Sequence, residues 1–110
     1  PGVVHATVHT KAYNHIIGTQ KGATTTVNDF SDNFHIYKFE WSSNKMTFYV
    51  DDTPYFIFAD NGSGYSAWPF YKPFFMILNI AYGGNWGGQK GVDDSILPQQ
   101  MLVDYVRVYQ

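Results

Sequence analysis

The segment spanning residues 79–88 has the residue types best suited to contact a sugar ring. Its apolar start runs into four glycines that flank Asn85 and Trp86. Glycine allows positive φ and close approach of the backbone to a ligand, and an indole offers a flat apolar face with one N–H donor. Two structures fit this segment by itself: a sugar-stacking loop, or a Gly-rich turn whose Trp folds back into the core.

Composition narrows the class of protein to one domain, or part of one, without the charge pattern of a nucleic-acid binder. The chain has 110 residues, a net charge of −2, seven scattered Lys and Arg residues and no cysteine. A basic stripe is what nucleic-acid recognition requires, so we predict no nucleic-acid partner. The longest apolar run, residues 74–82, is far shorter than the roughly 20 residues that span a bilayer, so we expect no membrane partner.

Period-two alternation of apolar and polar residues predicts an all-β protein with about seven strands and no long helix. In residues 34–41, for example, His35, Tyr37, Phe39 and Trp41 share one face. The predicted strands are residues 3–10, 23–27, 34–41, 46–50, 55–59, 74–82 and 101–109. Short strands at this spacing favour an antiparallel β-sandwich or jelly roll of the concanavalin A-like kind. The continuous apolarity of residues 74–82 predicts a strand buried on both faces.

Four blocks of the chain carry a family resemblance from one end to the other. They are residues 4–10, 32–41, 68–86 and 103–109, which include the motifs Tyr-Gly-Gly-Asn-Trp and Val-Asp-Tyr-Val-Arg-Val-Tyr. The chain resembles the C-terminal half of a glycoside hydrolase family 16 domain of the laminarinase (endo-β-1,3-glucanase) type. This resemblance implies that residues 1–110 form about half of one jelly-roll domain whose concave face is a glycan cleft.

The catalytic signature of that family, Glu-x-Asp-x-x-Glu or a variant one residue longer, does not occur in the chain, whose single glutamate is Glu40. Retaining glycosidases need two carboxyl groups about 5–5.5 Å apart. The adjacent pairs Asp51/Asp52 and Asp93/Asp94 lie in loop-like sequence and are predicted to be solvated turn residues. We therefore expect no catalytic carboxylate here. A complementary N-terminal polypeptide is expected to carry the signature, and Pro1 is expected to mark a break in the domain.

The resemblance also suggests which residues face the cleft. His5 and His9 share one strand face and are predicted to hydrogen-bond sugar hydroxyls. The alternatives are exposed surface histidines and metal binding, for which no third ligand is evident. Asn79 interrupts an apolar strand and is predicted to bond either a neighbouring backbone group or the sugar.

Aromatic and amide side chains complete the predicted cleft. Trp86 is predicted to be a stacking platform, with Asn85 beside it as a hydrogen-bonding group. Trp68 is a second stacking candidate, for which core packing is an equal alternative. Trp41 is predicted to lie in the core.

Asp104 is the one predicted metal ligand. The resemblance implies a structural calcium ion, which many family members hold with a carboxylate at this position and backbone carbonyls from the N-terminal half. The alternative is a salt bridge to Arg107 or Lys90. No catalytic cofactor is expected.

Two function classes remain open at the sequence level. The first is a retaining endo-β-glucanase acting on β-1,3-glucan or mixed-linkage β-glucan, secreted or periplasmic by family resemblance. The second is a non-catalytic β-glucan-binding jelly-roll module. Because half a jelly roll leaves unpaired edges and exposed aromatic faces, we also predict that the chain is not stable by itself.

Overall fold

Five of the predicted strands form, and each pairs antiparallel with its neighbours. The structure is a computed structural model that describes residues 2–110, and these residues form two units that divide between Phe74 and Phe75. All five strands lie in the first unit: β1 (Val3–Val8), β2 (Lys21–Thr26), β3 (Tyr37–Trp41), β4 (Lys45–Val50) and β5 (Thr53–Ala59). β1 and β2 form one sheet, and β3, β4 and β5 form the other in that order. No helix among residues 2–110 is long and apolar enough to cross a membrane.

The β1 strand shows the alternation that its sequence predicts. Ala6 and Val8 are buried, whereas His5 and Thr7 are exposed. This alternation directs the apolar side chains into the unit and leaves the polar face of β1 open to solvent.

The core of the first unit is small and rich in aromatic rings. Val8 of β1 packs with Met46 of β4 and with Trp68, and partly buried phenylalanines surround these three residues. Phe48 lies opposite Phe56 in the β4–β5 register, with ring centroids 5.4 Å apart. One face of the three-stranded sheet therefore supplies most of the apolar contacts.

Close approach of β1 to β2 requires a residue without a side chain at Gly22, which pairs with Thr7. A Cβ atom at this position would lie 2.4 Å from the carbonyl oxygen of Ala6. Gly22→Ala is therefore expected to push the strands apart and to lower the free energy of unfolding by roughly 1–3 kcal/mol. Urea denaturation of the intact protein measures this change. Gly87→Ala is the matched control, since a Cβ there meets nothing within 4 Å; equal effects of the two variants would contradict the prediction.

The second unit departs from the sequence prediction. Neither residues 75–82 nor residues 101–109 form a strand; the unit contains one helical turn, α1 (Gly84–Gly87), and a 3-10 turn at Asp94–Ile96. Within residues 75–110 the structure has a single isolated bridge, Gln89–Gly91. A β-strand requires a hydrogen-bonded neighbour, and these apolar runs have none within their unit. The predicted burial of residues 74–82 is also wrong, since Phe75 is 85% exposed.

Candidate functional site

An apolar groove in the first unit lies beside the polar face of β1. Five aromatic side chains line this cavity of about 240 Å³, namely Phe39, Trp41, Phe48, Phe70 and Phe74. Thr7 and His9 also line it. We call this cavity the aromatic groove.

Trp41 belongs to the aromatic groove, and the prediction that it is a core residue is wrong. It is 40% exposed, its ring meets Phe74 edge-on with centroids 5.7 Å apart, and its Nε1–H donates to the Phe70 carbonyl at 2.9 Å. The hydrogen bond fixes the indole while leaving much of its surface open. Alternation along β3 had already placed Tyr37, Phe39 and Trp41 on one face, but that pattern does not tell a filled core from an open groove.

Trp68 lies in the core of the first unit, which is the second of its two predicted roles. It is 2% exposed, stacks on Phe58 with centroids 5.3 Å apart, and donates its Nε1–H to the Ser43 carbonyl at 2.9 Å. With its indole face covered and its only donor engaged, Trp68 cannot stack on a sugar in this structure. Its assignment as a substrate-binding residue is therefore corrected.

The two histidines of the predicted cleft are both exposed. His5 lies within β1, and His9 follows immediately after that strand ends at Val8. The His9 ring meets the ring of His15, from the loop between β1 and β2, with centroids 5.4 Å apart. The sequence did not predict that His15 lies beside His9, because their contact depends on the path of the loop, which the alternation pattern does not specify.

The Gly-rich segment of the second unit presents its Trp to solvent. Gly83 and Gly84 adopt φ of 69° and 75°, in the left-handed region that favours glycine. They lead into α1, where Asn85 is exposed and Trp86 is 73% exposed. The segment therefore forms an exposed loop, and its Trp does not fold back into a core. Asn79 is exposed and lies outside any strand, so its predicted burial is wrong.

Glu40, the only glutamate, is engaged in a polar cluster on the outer face of β3 and β4. Its carboxylate accepts a 2.5 Å hydrogen bond from the Tyr49 hydroxyl and lies 3.5 Å from Lys38 Nζ. The bond from Tyr49, followed by the charge of Lys38, lowers the pKa of Glu40. An acid/base catalyst needs a raised pKa near its working pH, so Glu40 is unsuited to that role.

Asp51 and Asp52 form the two-residue turn between β4 and β5, as predicted for turn residues. Both have positive φ, 48° and 65°. The Asp51 carboxylate bonds His35 Nδ1 at 2.6 Å and accepts from the Ile36 N–H at 2.9 Å. Asp52 accepts from Lys38 Nζ at 3.1 Å. Both carboxylates thus hold the hairpin end against the start of β3.

His35 is enclosed by carboxylates, and its side chain is only 11% exposed. Its buried Nε2 lies 3.3 Å from Asp29 Oδ1, close enough for an ion pair but without hydrogen-bond geometry. The hydrogen bond to Asp51, together with the charges of Asp51 and Asp29, raises the pKa of His35 above 6.5 despite an opposing effect of desolvation. The same hydrogen bond, with that from Ile36, lowers the pKa of Asp51 below 3.8.

These two shifts predict a pH-dependent contribution to stability. A raised His35 pKa stabilises the fold fully below the unfolded value of 6.5, and the effect disappears as pH rises through the folded pKa. A lowered Asp51 pKa stabilises above 3.8 and is lost as pH falls through its folded value. The contact between His35 and Asp51 is therefore expected to stabilise the fold most between pH 3.8 and pH 6.5.

Urea denaturation of the intact protein from pH 5 to pH 9 tests this expectation. We expect His35→Gln to flatten the decline in unfolding free energy above pH 6.5, and Asp51→Asn to flatten it similarly. An unchanged slope in both variants would contradict the assignment.

The other acidic pair also has a local role. The Asp93 carboxylate caps the 3-10 turn by accepting from the Ser95 N–H at 3.0 Å and from the Ser95 hydroxyl, which lowers the pKa of Asp93. Asp94 accepts from the Tyr82 hydroxyl at 2.6 Å. The prediction that this pair consists of turn residues is confirmed.

Asp104 is exposed, and among residues 2–110 it has no ion-pair partner. Arg107 instead lies over the Tyr105 ring, 4.3 Å from its centroid. The described residues contain no group of three or more His, Cys, Asp or Glu side chains that could hold a metal ion. A calcium ion at Asp104 therefore remains a prediction that depends on ligands from outside this chain.

The first unit thus holds the aromatic groove, the second unit exposes Trp86, and the paired aspartates of both units have local hydrogen-bond partners. Residues 1–107 match the family model for glycosyl hydrolases family 16, and the chain belongs to this family.

Among its relatives, the chain is 49% identical over its whole length to the beta-glucanase of Rhodothermus marinus, of which it covers 40%. The crystal structure of the Rhodothermus marinus laminarinase superposes with a TM-score of 0.85 and 46% identity, covering 89% of this chain and 41% of that one. A mutant of SCLam, a non-specific endo-β-1,3(4)-glucanase of the same family, superposes with a TM-score of 0.80 and 46% identity. That match covers 86% of this chain and 37% of the other, and the mutant was co-crystallised with 1,3-β-D-cellotriosyl-glucose.

These comparisons confirm the predicted family and the predicted fold class, an antiparallel jelly-roll β-sandwich. The chain spans about two fifths of the length of the curated beta-glucanase that it matches.

Proposed function

We propose that this chain forms one wall of the glycan cleft in a retaining endo-β-glucanase acting on β-1,3-glucan or mixed-linkage β-glucan. The observation that carries the proposal is the 49% identity to a family 16 beta-glucanase along the entire chain. His5 and His9 in the first unit would bond sugar hydroxyls; in the second unit, Trp86 would stack on a sugar ring, and Asn85 and Asn79 would bond sugar hydroxyls.

The catalytic carboxylates are proposed to lie in the N-terminal part of the domain. Two observations support this placement: the chain covers 40% of its beta-glucanase relative, and its acidic side chains at Glu40, Asp51, Asp52, Asp93 and Asp94 already have local partners. In a retaining mechanism one of the missing carboxylates attacks the anomeric carbon while the other protonates the leaving oxygen.

The same N-terminal part is proposed to cover the apolar surface that residues 2–110 leave open. Tyr37, Phe39 and Trp41 share one face of β3 in the first unit, and each is at least two fifths exposed. Monomeric proteins rarely leave so much contiguous apolar surface in water. The chain is therefore expected to aggregate when produced by itself and to remain soluble when joined to, or co-expressed with, the N-terminal part. A secreted or periplasmic location is proposed for the whole protein, since its polymeric substrate lies outside the cell.

Product analysis tests the mechanism. The intact domain, incubated with laminarin, is expected to release a ladder of oligosaccharides whose first-formed anomer, observed by proton NMR, is β. An initial α-anomer would contradict retention, and release of glucose only, with no ladder, would contradict endo-cleavage.

A non-catalytic glucan-binding module is the second candidate function. The chain is 32% identical over 92 residues to a beta-1,3-glucan-binding protein of Penaeus monodon, covering 68% of this chain and 25% of that protein. Native electrophoresis through a laminarin-containing gel distinguishes the two: a binding module is retarded and leaves the polysaccharide intact, whereas an enzyme clears it.

A further inference from the structure

The loop between β1 and β2 is organised around Asn14. The Asn14 amide nitrogen donates to the carbonyls of Thr10 and Lys11 at 3.3 Å and 3.1 Å. Its amide oxygen accepts from the backbone N–H groups of Ile16 and Ile17 at 3.1 Å and 3.3 Å. One side chain thus satisfies four backbone groups on both sides of His15, as Asn does in local turns.

Contacts to the rest of the first unit anchor this loop. The Ala12 N–H donates to the Ser66 carbonyl at 2.8 Å, and the Thr19 hydroxyl donates to the Ala12 carbonyl at 2.8 Å. The Tyr13 ring meets Phe58 edge-on with centroids 5.9 Å apart. The position of His15 is therefore set by a hydrogen-bonded loop attached to the sheet.

The consequence of this arrangement is a pair of neighbouring imidazoles. His9 and His15 have ring centroids 5.4 Å apart and an interplanar angle of 79°. A tetrahedral zinc ion about 2.0–2.1 Å from one nitrogen of each ring holds two imidazole centroids roughly 5 Å apart. Both side chains are exposed, so rotation about their terminal torsions can point one nitrogen of each ring toward a common ion.

We propose that His9 and His15 together bind a borderline transition-metal ion such as Zn²⁺, Ni²⁺ or Cu²⁺, with water in the remaining coordination positions. Imidazole nitrogen suits these ions, whereas Ca²⁺ and Mg²⁺ require oxygen ligands. Residues 9–21 contain no Asp, Glu or Cys, and they include Lys11 and Lys21. The pair therefore selects for nitrogen-seeking ions and disfavours the hard cations.

This two-histidine site is distinct from the calcium position predicted at Asp104. It uses two protein ligands, which is consistent with the absence of any three-residue metal cluster among the described residues. With water filling the other positions, the ion exchanges readily, so a regulatory or inhibitory role fits better than a structural one. If the proposed function is correct, an ion on His9 would block access of glucan to that side of the cleft.

Metal titration of the intact protein tests the site. Isothermal titration with ZnCl₂ at pH 7.5 is expected to show one site in the wild type, weakened at least tenfold in both His9→Ala and His15→Ala. Asn14→Ala is expected to weaken binding as well, because it releases the loop that positions His15. His5→Ala, in β1 four residues before His9, is the control and should retain the site.

The electron paramagnetic resonance spectrum of bound Cu²⁺ gives an independent readout. The wild-type protein is expected to show hyperfine coupling of the copper ion to two imidazole nitrogens. The His15→Ala variant is expected to show coupling to one imidazole nitrogen. Unchanged zinc affinity in His15→Ala, or a single coupled nitrogen in the wild type, would overturn the proposal.

Inhibition assays separate this site from the proposed function. Zn²⁺ is expected to inhibit laminarin hydrolysis by the wild type and to inhibit His15→Ala at least tenfold less strongly. If the intact protein does not hydrolyse laminarin at all, the proposed function fails, whereas the titration still decides whether the metal site exists.

Discussion

Trp68→Ala is expected to lower the free energy of unfolding by about 3–5 kcal/mol, the largest stability effect of any single substitution considered. Trp68 is buried, its ring lies against Phe58 and Phe70 with centroids 5.3 Å away in each case, and its Nε1–H satisfies the Ser43 carbonyl. Alanine leaves a cavity in a small core and removes the partner of that carbonyl. Urea denaturation of the intact protein measures the loss.

Trp68→Phe is the matched control for this substitution. It retains an aromatic ring against Phe58 but leaves the Ser43 carbonyl without its donor, so we expect a smaller loss of roughly 1–3 kcal/mol. A loss below about 1 kcal/mol for Trp68→Ala would show that the indole is not part of the core.

Trp86→Ala is expected to raise the dissociation constant for laminarin oligosaccharides about tenfold, equivalent to about 1.4 kcal/mol. Trp86 is exposed within the short α1 turn, where its ring face can meet a sugar. The unfolding free energy should change by less than about 0.5 kcal/mol, because exposed side chains contribute little to stability. Calorimetric titration with an oligosaccharide measures the affinity.

Trp86→Tyr is the control for the stacking role, since it keeps a flat ring and should recover part of the affinity. Equal weakening by Ala and Tyr would point to the indole N–H as the group that contacts the glycan. Unchanged affinity in Trp86→Ala would remove Trp86 from the site.

The sequence predicts the first unit well because its strands pair with neighbours nearby in the chain. Alternation in β1 and β3 specifies which side chains share a face, and the Asp51–Asp52 turn closes a local hairpin. Residues 101–109 alternate equally clearly but form no strand in a unit that offers no edge to pair with. Period-two alternation shows that a segment can form a strand, but the strand forms only when a neighbouring strand is available for hydrogen bonding.

The site was predictable only in part, for a related reason. Residue type and flanking glycines identify Trp86 as an exposed aromatic side chain. They do not show that Trp41, predicted to be in the core, is 40% exposed, or that Trp68 adopts the core position rather than the stacking position. The burial of an aromatic ring depends on contacts distant in sequence, such as the hydrogen bond from Trp68 to Ser43. The approach of His15 to His9 likewise depends on the fold of the loop around Asn14.

The central claim is that this chain supplies substrate contacts while the catalytic acids lie outside it. The most direct test is reducing-sugar release from laminarin by the intact domain, with this chain unaltered. Both glutamates of the Glu-x-Asp-x-x-Glu signature that we propose to lie upstream are changed to glutamine. The account predicts that hydrolysis falls to background while the folded variant still binds laminarin. Hydrolysis that survives those two substitutions would contradict the account, because it would show that the signature glutamates are not the catalytic acids.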